Sequence, residues 1–347
     1  NKLSKDQQEA WAIFGAYTHF NWTPDDQAII FWGQGKIWSV NVDTKALSEI
    51  PFSVKANHRI QETVKFENKV FEESIELKVL RNLRTSPDSK EALFTAAGYL
   101  YAYDFDKDKI SRVNDSDEFE FEAVYNSTGT MICYVTWDDV NQGAVVLQNL
   151  STGVKKVLTT EPGIYRTPSF SPDDSKVVFR KDGGNTHQGY RNSLNPGIYI
   201  ADLKSGAISF VQSNGEYPVF TANGDRIFYQ TGGFLFGSLT KAYHSMKLDG
   251  TDNKKHVDSK YAQRFSVSPD NKWIAWSELY KVYVAALPMT GQTIHLTSKS
   301  TTHPVRLLAK DEGINIHWSS DSKTLNWTMG NSYFSKDLAT GDDVEAT

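Results

Sequence analysis

The ten residues Phe170–Phe179, FSPDDSKVVF, predict a strand, a tight turn and a second strand. In the turn Ser171-Pro172-Asp173-Asp174, proline fixes φ at the second position and short polar residues follow it, as a type I turn favours. The apolar run that follows, Val177-Val178-Phe179, places apolar side chains on both faces of the second strand. Both faces of that strand must therefore be covered by other parts of the protein.

Six further segments align with this stretch without a gap. They are WTPDDQAIIF from Trp22, TSPDSKEALF from Thr85, YNSTGTMICY from Tyr125, FTANGDRIFY from Phe220, VSPDNKWIAW from Val267 and WSSDSKTLNW from Trp318. The spacings between successive starts are 63, 40, 45, 50, 47 and 51 residues, which is the period of propeller blades with four strands each. The fourth turn position favours residues that tolerate left-handed φ. It is occupied by Asp26, Ser89, Gly129, Asp174, Gly224, Asn271 and Ser322.

A third strand and a more polar fourth strand complete each repeat. The third strands are predicted at Lys36–Val42, Tyr99–Phe105, Ala144–Leu150, Gly197–Leu203, Tyr243–Leu248, Lys281–Leu287 and Ser332–Leu338. Polar residues, as in Val154–Thr160, suit an outer edge strand because they discourage stray pairing.

We therefore predict an all-β, seven-bladed propeller of antiparallel sheets over residues 18–347, with six or eight blades as alternatives. Residues 1–17 form a lead-in segment, in which Ser4–Ile13 is either a short helix or an extended linker. The ring is expected to close by side-chain packing of the first blade against the seventh.

Two insertions interrupt the repeats. Residues 53–79 are predicted to form extended strands that leave the ring, either as a solvated excursion or as a docking arm. Residues 181–196 form a Gly- and Asn-rich loop with His187, Tyr190 and Arg191. Long loops on rigid scaffolds often contact ligands, so these three residues are candidates for binding, with a plain surface loop as the alternative.

Composition excludes several classes of protein. The 347 residues have a net charge of −5 with both signs interspersed, which argues against a nucleic-acid partner. No apolar run approaches the length of a membrane span. The single cysteine, Cys133, lies in a predicted buried strand and is expected to be a small core residue.

The sequence contains no known catalytic signature. None of the eight histidines forms H-x-H or H-E-x-x-H, and there is no G-x-S-x-G elbow, phosphate loop or dinucleotide fingerprint. We therefore predict no catalytic residue, metal site or cofactor in this chain.

Polar residues at the first strand of each repeat form the candidate binding site. First strands converge on the axis of a propeller, so the residues one and three positions before each segment should surround a central channel. The candidates are His19, Arg84, Glu122, Arg264 and His317. These side chains either hydrogen-bond neighbouring blades or bind a small ligand or peptide.

The combination FSPDDSKVVF, GIYIADL and a following Ser-Gly resembles the TolB-type propeller repeat. Longer ordered segments resemble one family of large bacterial amidohydrolases, in which a TolB-like propeller region precedes the catalytic domain. These segments are Asp6–Val42, Ile50–Phe52, Glu161–Phe179 and His317–Ser335, and the resemblance spans about Gln7 to Leu338.

The resemblance implies a periplasmic or secreted protein whose metal-dependent catalytic barrel, with its H-x-H ligands, lies C-terminal to this region. None of those ligands has a counterpart here, so the metal is expected only in that barrel. The expected partners are the barrel or another propeller domain of the same polypeptide, with a peptide or another protein as a further possibility.

Two other interpretations remain open at this point. The chain is alternatively a free-standing, TolB-like periplasmic propeller that binds a partner protein. The third possibility is a self-sufficient propeller enzyme, such as a lyase or glycosidase, for which His19, Glu122, Arg264 and His317 are the residues to test first.

Overall fold

A computed structural model of the chain describes residues 19–33, 35–60, 65–66, 73–183, 193–233, 238–287, 291–309, 311–339 and 343–346. Within these ranges all regular secondary structure is β-strand, and 29 strands form seven sheets. The described residues contain no helix long and apolar enough to cross a membrane. The all-β prediction is confirmed.

Each repeat forms its own sheet, with strands paired in chain order. The first sheet contains β1 (Phe20–Trp22), β2 (Ala28–Gly33), β3 (Lys36–Asn41) and β4 (Leu47–Ile50). The second contains β5 (Arg81–Thr85), β6 (Glu91–Ala96), β7 (Tyr99–Asp104) and β8 (Lys109–Arg112). The third contains β9 (Phe119–Tyr125), β10 (Met131–Asp138), β11 (Gln142–Asn149) and β12 (Lys155–Val157). The fourth contains β13 (Ile164–Phe170), β14 (Lys176–Asp182), β15 (Gly197–Asp202) and β16 (Ile208–Gln212).

The last three sheets follow the same order, apart from one short extra strand that joins the fifth sheet. The fifth contains β17 (Glu216–Phe220), β18 (Arg226–Gly232), β19 (Lys241–Lys247) and β20 (Lys254–Ser259). The sixth contains β21 (Ala262–Val267), β22 (Trp273–Glu278), β23 (Lys281–Ala286) and β25 (Val305–Ala309). The seventh contains β26 (Ile314–Trp318), β27 (Thr324–Met329), β28 (Ser332–Asp337) and β29 (Asp343–Ala346). The short strand β24 (Ile294–His295) leaves the sixth repeat and pairs in parallel with β20 of the fifth sheet.

The turn chemistry follows the sequence prediction in every repeat. All seven residues at the fourth turn position have left-handed φ, between 56° and 71°. In the fourth repeat, the Ser171 hydroxyl donates to Asp173 Oδ1 at 2.6 Å and accepts the Lys176 N–H at 2.9 Å. These bonds occupy the hydrogen-bonding groups of the turn and hold its conformation. The turn therefore sets the register of the two strands that it joins.

The chain divides into two compact units. One unit contains the first sheet, β1–β4, and the other contains the six remaining sheets. In the first unit, β1 is exposed along its length, with Phe20 at 66% and Trp22 at 53% of their full exposure.

Six apolar clusters join the six sheets of the second unit in a cycle, one cluster at each junction. Strand β10 shows the principle, because Ile132 and Tyr134 pack towards the second sheet while Cys133 and Val135 pack towards the fourth. The prediction that these strands are covered on both faces is confirmed, and Cys133 is a fully buried core residue.

The cycle closes between the seventh and second sheets, whereas the sequence analysis predicts packing of the seventh against the first. Tyr333 of the seventh sheet packs against the apolar cluster of the second and lies 5.4 Å from Phe105, ring centre to ring centre. The Leu80 N–H donates to Gly330 O at 3.0 Å across the same junction. A ring of seven blades is therefore not confirmed, and these contacts run through six sheets.

The two insertions lie partly outside the described residues. Residues 53–60, 65–66 and 73–79 contain no strand, so the predicted extended strands are absent from the part that the structure describes. In the second insertion β14 continues to Asp182, so the irregular loop begins two residues later than predicted. His187, Tyr190, Arg191 and the proposed helix Ser4–Ile13 lie outside the described residues.

Candidate functional site

The first strands of the six-sheet ring, β5, β9, β13, β17, β21 and β26, surround the central channel. A cavity of about 120 Å³ lies among them, and five of the six strands contribute lining residues. The lining residues stand one to three positions before the five aligned segments that follow these strands. Arg84, Glu122 and Arg264, three of the five predicted channel residues, line this cavity.

A β-bulge interrupts each of these six strands. The pairing with the next strand shifts register near the third position before the segment in all six sheets of the ring. At that position Asn82, Glu122, Thr167, Tyr217 and Asn315 adopt left-handed φ, between 48° and 57°. A bulge re-aims the side chain of the bulged residue, so these groups turn away from their own ladder. These five residues are of four types, two of them being Asn, and no local sequence pattern marks the bulge.

Glu122 joins the third sheet to the fourth. Its Oε1 accepts from Arg166 Nε at 2.9 Å and from the terminal guanidinium nitrogen at 2.7 Å, and its Oε2 accepts the Thr167 N–H. The carboxylate is buried, with 7% of its side chain exposed. Burial opposes ionisation of Arg166, but the bonds to Glu122 outweigh it and raise the pKa of Arg166 above its ordinary value.

Asn315 makes the equivalent junction between the seventh sheet and the second. Its Oδ1 accepts the Asn82 N–H at 2.9 Å, just as Glu122 accepts the N–H of Thr167 at the same position of its neighbour. Its Nδ2 donates to Leu80 O at 3.0 Å. The junction that closes the ring therefore uses the same bulge-to-bulge contact as an internal junction.

His317 is buried beside this junction. Its Nε2 accepts the Thr85 N–H at 3.3 Å, so Nδ1 holds the proton and donates to Asn315 O at 2.8 Å. Burial, followed by the positive charge of Arg84, lowers the pKa of His317 to about 3. Both ring nitrogens of the neutral imidazole are thus occupied, Nε2 across the junction and Nδ1 within the seventh sheet.

Arg84 and Arg264 have a different environment from Arg166. The described residues place no carboxylate within ion-pair distance of either guanidinium. Burial, and then the charge of Arg264, lower the pKa of Arg84 to about 9, whereas the charge of Glu122 acts in the opposite direction. The channel therefore contains two cations that repel each other.

His19, the remaining predicted channel residue, lies immediately before β1 in the first unit and is exposed. His19 and the six-sheet ring belong to different compact units, and the role of His19 as a channel residue stays a prediction. Across the part of the chain that the structure describes, no group of three or more His, Cys, Asp and Glu side chains is arranged to hold a metal ion.

No protein-family model matches the chain. Among solved structures, it is similar to TolB from Acinetobacter baumannii, with a TM-score of 0.53 and 15% identity over 95% of this chain and 79% of that one. It is also similar to putative TolB from Agrobacterium tumefaciens, with a TM-score of 0.54 and 17% identity over 71% of this chain and 87% of that one. A third similar structure is oligogalacturonate lyase from Vibrio parahaemolyticus, with a TM-score of 0.53 and 11% identity over 94% of this chain and 92% of that one.

At these identities the similarity shows the fold alone. The chain has a TolB-like β-propeller fold.

Proposed function

We propose that this chain is a non-catalytic propeller domain of a larger amidohydrolase-type enzyme, in which it scaffolds or gates access to a separate catalytic barrel. The proposal joins the TolB-like fold to the ordered sequence segments that resemble the propeller region of such enzymes. A periplasmic or secreted location, and a metal held only by the barrel, are parts of the same proposal.

The observation that supports a scaffold most directly is that two candidate catalytic side chains already make hydrogen bonds within the protein. Both oxygens of Glu122 accept hydrogen bonds from the neighbouring sheet, and both ring nitrogens of His317 are occupied, Nε2 by the Thr85 N–H of the neighbouring sheet and Nδ1 by Asn315 O of its own strand. A general base must have a lone pair directed at the proton that it removes. The lone pairs of these two groups instead accept hydrogen bonds from neighbouring sheets. This favours a rigid binding scaffold over a propeller that performs its own catalysis.

We further propose that the functional propeller is the ring of six sheets formed by the second to seventh repeats. The support is that the closing junction between the seventh and second sheets repeats the contact made between the third and fourth.

The alternative function is a free-standing, TolB-like propeller that binds a partner protein in the periplasm. The observation in its favour is the similarity to two TolB structures over most of their lengths. The two functions differ in what the gene encodes downstream of Thr347.

The deciding experiment sequences the parent gene and assays the chain that it encodes. We expect the reading frame to continue into a barrel that contains H-x-H, and that barrel to bind this chain in a pull-down with separately expressed domains. A frame that stops shortly after this region would favour the free-standing propeller.

A second assay tests the absence of catalysis. The purified chain is incubated with divalent metal ions and amide, peptide or oligogalacturonate substrates, and we expect no turnover above a denatured control. Turnover that disappears in Glu122→Gln or His317→Gln, with the fold retained by circular dichroism, would overturn the proposal.

A further inference from the structure

Two arginines, Arg84 and Arg264, line the central cavity, and a third, Arg166, binds the carboxylate of a lining residue. Arg166 binds Glu122 through two nitrogens, which satisfies the charge of both residues. Arg84 and Arg264 have no such partner among the described side chains, although both line the cavity. A buried or half-buried cation without an anion is costly, so proteins usually pair it.

Arg264 is held in place by a ring contact, but one of its hydrogen-bond donors has no acceptor among the described residues. Its guanidinium carbon lies 4.4 Å from the centre of the Tyr217 ring, a stacking contact that fixes the plane of the group. Its Nε is buried and has no acceptor within the described part of the chain. An unfilled buried donor of this kind is rare in proteins and indicates a missing acceptor.

Arg84 has spare donors as well. A guanidinium carries five N–H groups, and the only acceptor found for Arg84 among the described residues is Leu83 O, 2.8 Å from one terminal nitrogen. The like charge of Arg264 acts on it across the same channel. A single anion bound between the two guanidinium groups would stabilise the charge of both.

The cavity also offers a neutral polar group and suitable space. Thr167 lines it, and the Thr167 hydroxyl is buried without a partner among the described residues. The volume of about 120 Å³ is well above the roughly 10–15 Å³ of cavity space that one water molecule needs. That space accommodates one small oxyanion with a water molecule, or the charged end group of a longer ligand.

We propose that the central channel is a binding site for an oxyanion, a carboxylate or a phosphate group, held by the guanidinium groups of Arg84 and Arg264. Arginine matches both chemistries because its planar fork donates two parallel hydrogen bonds to a carboxylate or a phosphate. This site does not depend on the proposed role in an amidohydrolase, because it is tested on the isolated chain.

The test is isothermal titration of the full chain with inorganic phosphate and, separately, with acetate, in a Tris-chloride buffer of low ionic strength. We expect saturable binding of at least one of the two, and no binding of acetamide, which has the shape of acetate without its charge. Arg84→Gln and Arg264→Gln should each weaken binding by about tenfold or more, the loss expected for a charge-assisted hydrogen bond. Binding of phosphate alone or of acetate alone identifies the source of the oxyanion, and either result supports the site.

Arg112→Gln is the matched control. Arg112 lies on β8, the outermost strand of the sheet that contains Arg84, and it binds Ser116 O at the surface. Its replacement should leave the affinity unchanged. If a glutamine variant fails to fold, Arg84→Lys and Arg264→Lys replace it, and each should bind several-fold more weakly because lysine lacks the fork. The proposal is overturned if neither anion binds, if the channel variants bind like the original chain, or if Arg112→Gln loses binding equally.

Discussion

The pair formed by Glu122 and Arg166 should couple the third and fourth sheets more strongly than any surface ion pair of the ring. The perturbation is a double-mutant cycle with Glu122→Gln, Arg166→Gln and the double variant. Glutamine matches glutamate in size but is shorter than arginine. The cycle subtracts the effect of each single change, so the remaining energy reports the contact between the two side chains.

The magnitude follows from the burial of the two partners. Removing one partner from a fully buried pair costs about 3–5 kcal/mol, whereas exposed pairs contribute about 0–1 kcal/mol. Glu122 is 7% exposed but Arg166 is 46% exposed, so the released guanidinium regains water and the value falls between these limits. We expect Glu122→Gln to cost about 2 kcal/mol and Arg166→Gln about 3 kcal/mol, because the latter leaves the buried carboxylate behind. The expected coupling energy is about 2 kcal/mol.

Urea denaturation followed by tryptophan fluorescence measures the four free energies of unfolding, with unchanged m-values as the condition for comparing them. The control cycle uses Lys107 and Asp104, which lie 2.6 Å apart but are 74% and 29% exposed. That pair should couple by about 0.5 kcal/mol or less, since exposure to water screens it. A coupling below 0.5 kcal/mol for Glu122 and Arg166 would refute the view that this contact joins the two sheets.

Three further changes test the turns, the bulges and the buried histidine. Thr167→Gly should raise the free energy of unfolding by about 1 kcal/mol. The change removes the backbone strain of a β-branched residue at φ 48° and a buried hydroxyl that has no partner among the described residues. A decrease of the same size in urea denaturation would contradict this. Unfolded His317 takes up a proton at its ordinary pKa of 6.5, but the folded group does so only near 3, so stability should rise with pH between these values by up to about 1.4 kcal/mol per pH unit. His317→Gln should flatten that slope between pH 5 and 6.5, and an unchanged slope would exclude burial of a neutral imidazole. Gly129→Ala should lower the free energy of unfolding by about 1 kcal/mol more than Gly153→Ala does. Both glycines have left-handed φ, but only the new Cβ at position 129 would lie 3.3 Å from Pro87 of the neighbouring sheet. Equal melting temperatures of the two variants would show that Pro87 moves aside without cost.

The hairpins of this protein were predictable because their signals are local. Proline, short polar residues and left-handed φ at the fourth turn position coincide within four residues, and all seven turns follow the pattern. The burial of Cys133 on one face of β10 and of Tyr134 on the other was also predictable, since an apolar run longer than one face needs neighbours on both sides.

The channel was predictable only in part. Counting back from each turn leads to Arg84, Glu122 and Arg264, and these three residues line the cavity. It could not pair Glu122 with Arg166, because that contact depends on a bulge in β9 and on the neighbouring sheet. Nor could it distinguish the unpartnered arginines from the paired one, since all three have the same residue type.

The sequence by itself determined the strands, their turns, the four-stranded repeats and the need to bury two faces of each central strand, because each depends on residues close together in the chain. The tertiary structure decided which sheets lie side by side. The second and fourth repeats have the same local pattern, yet β5 receives the side chain of Asn315 from β26, whereas β13 receives the side chain of Glu122 from β9. Which sheet lies against which depends on packing between residues more than two hundred positions apart, and a repeated local pattern contains no information about that distance.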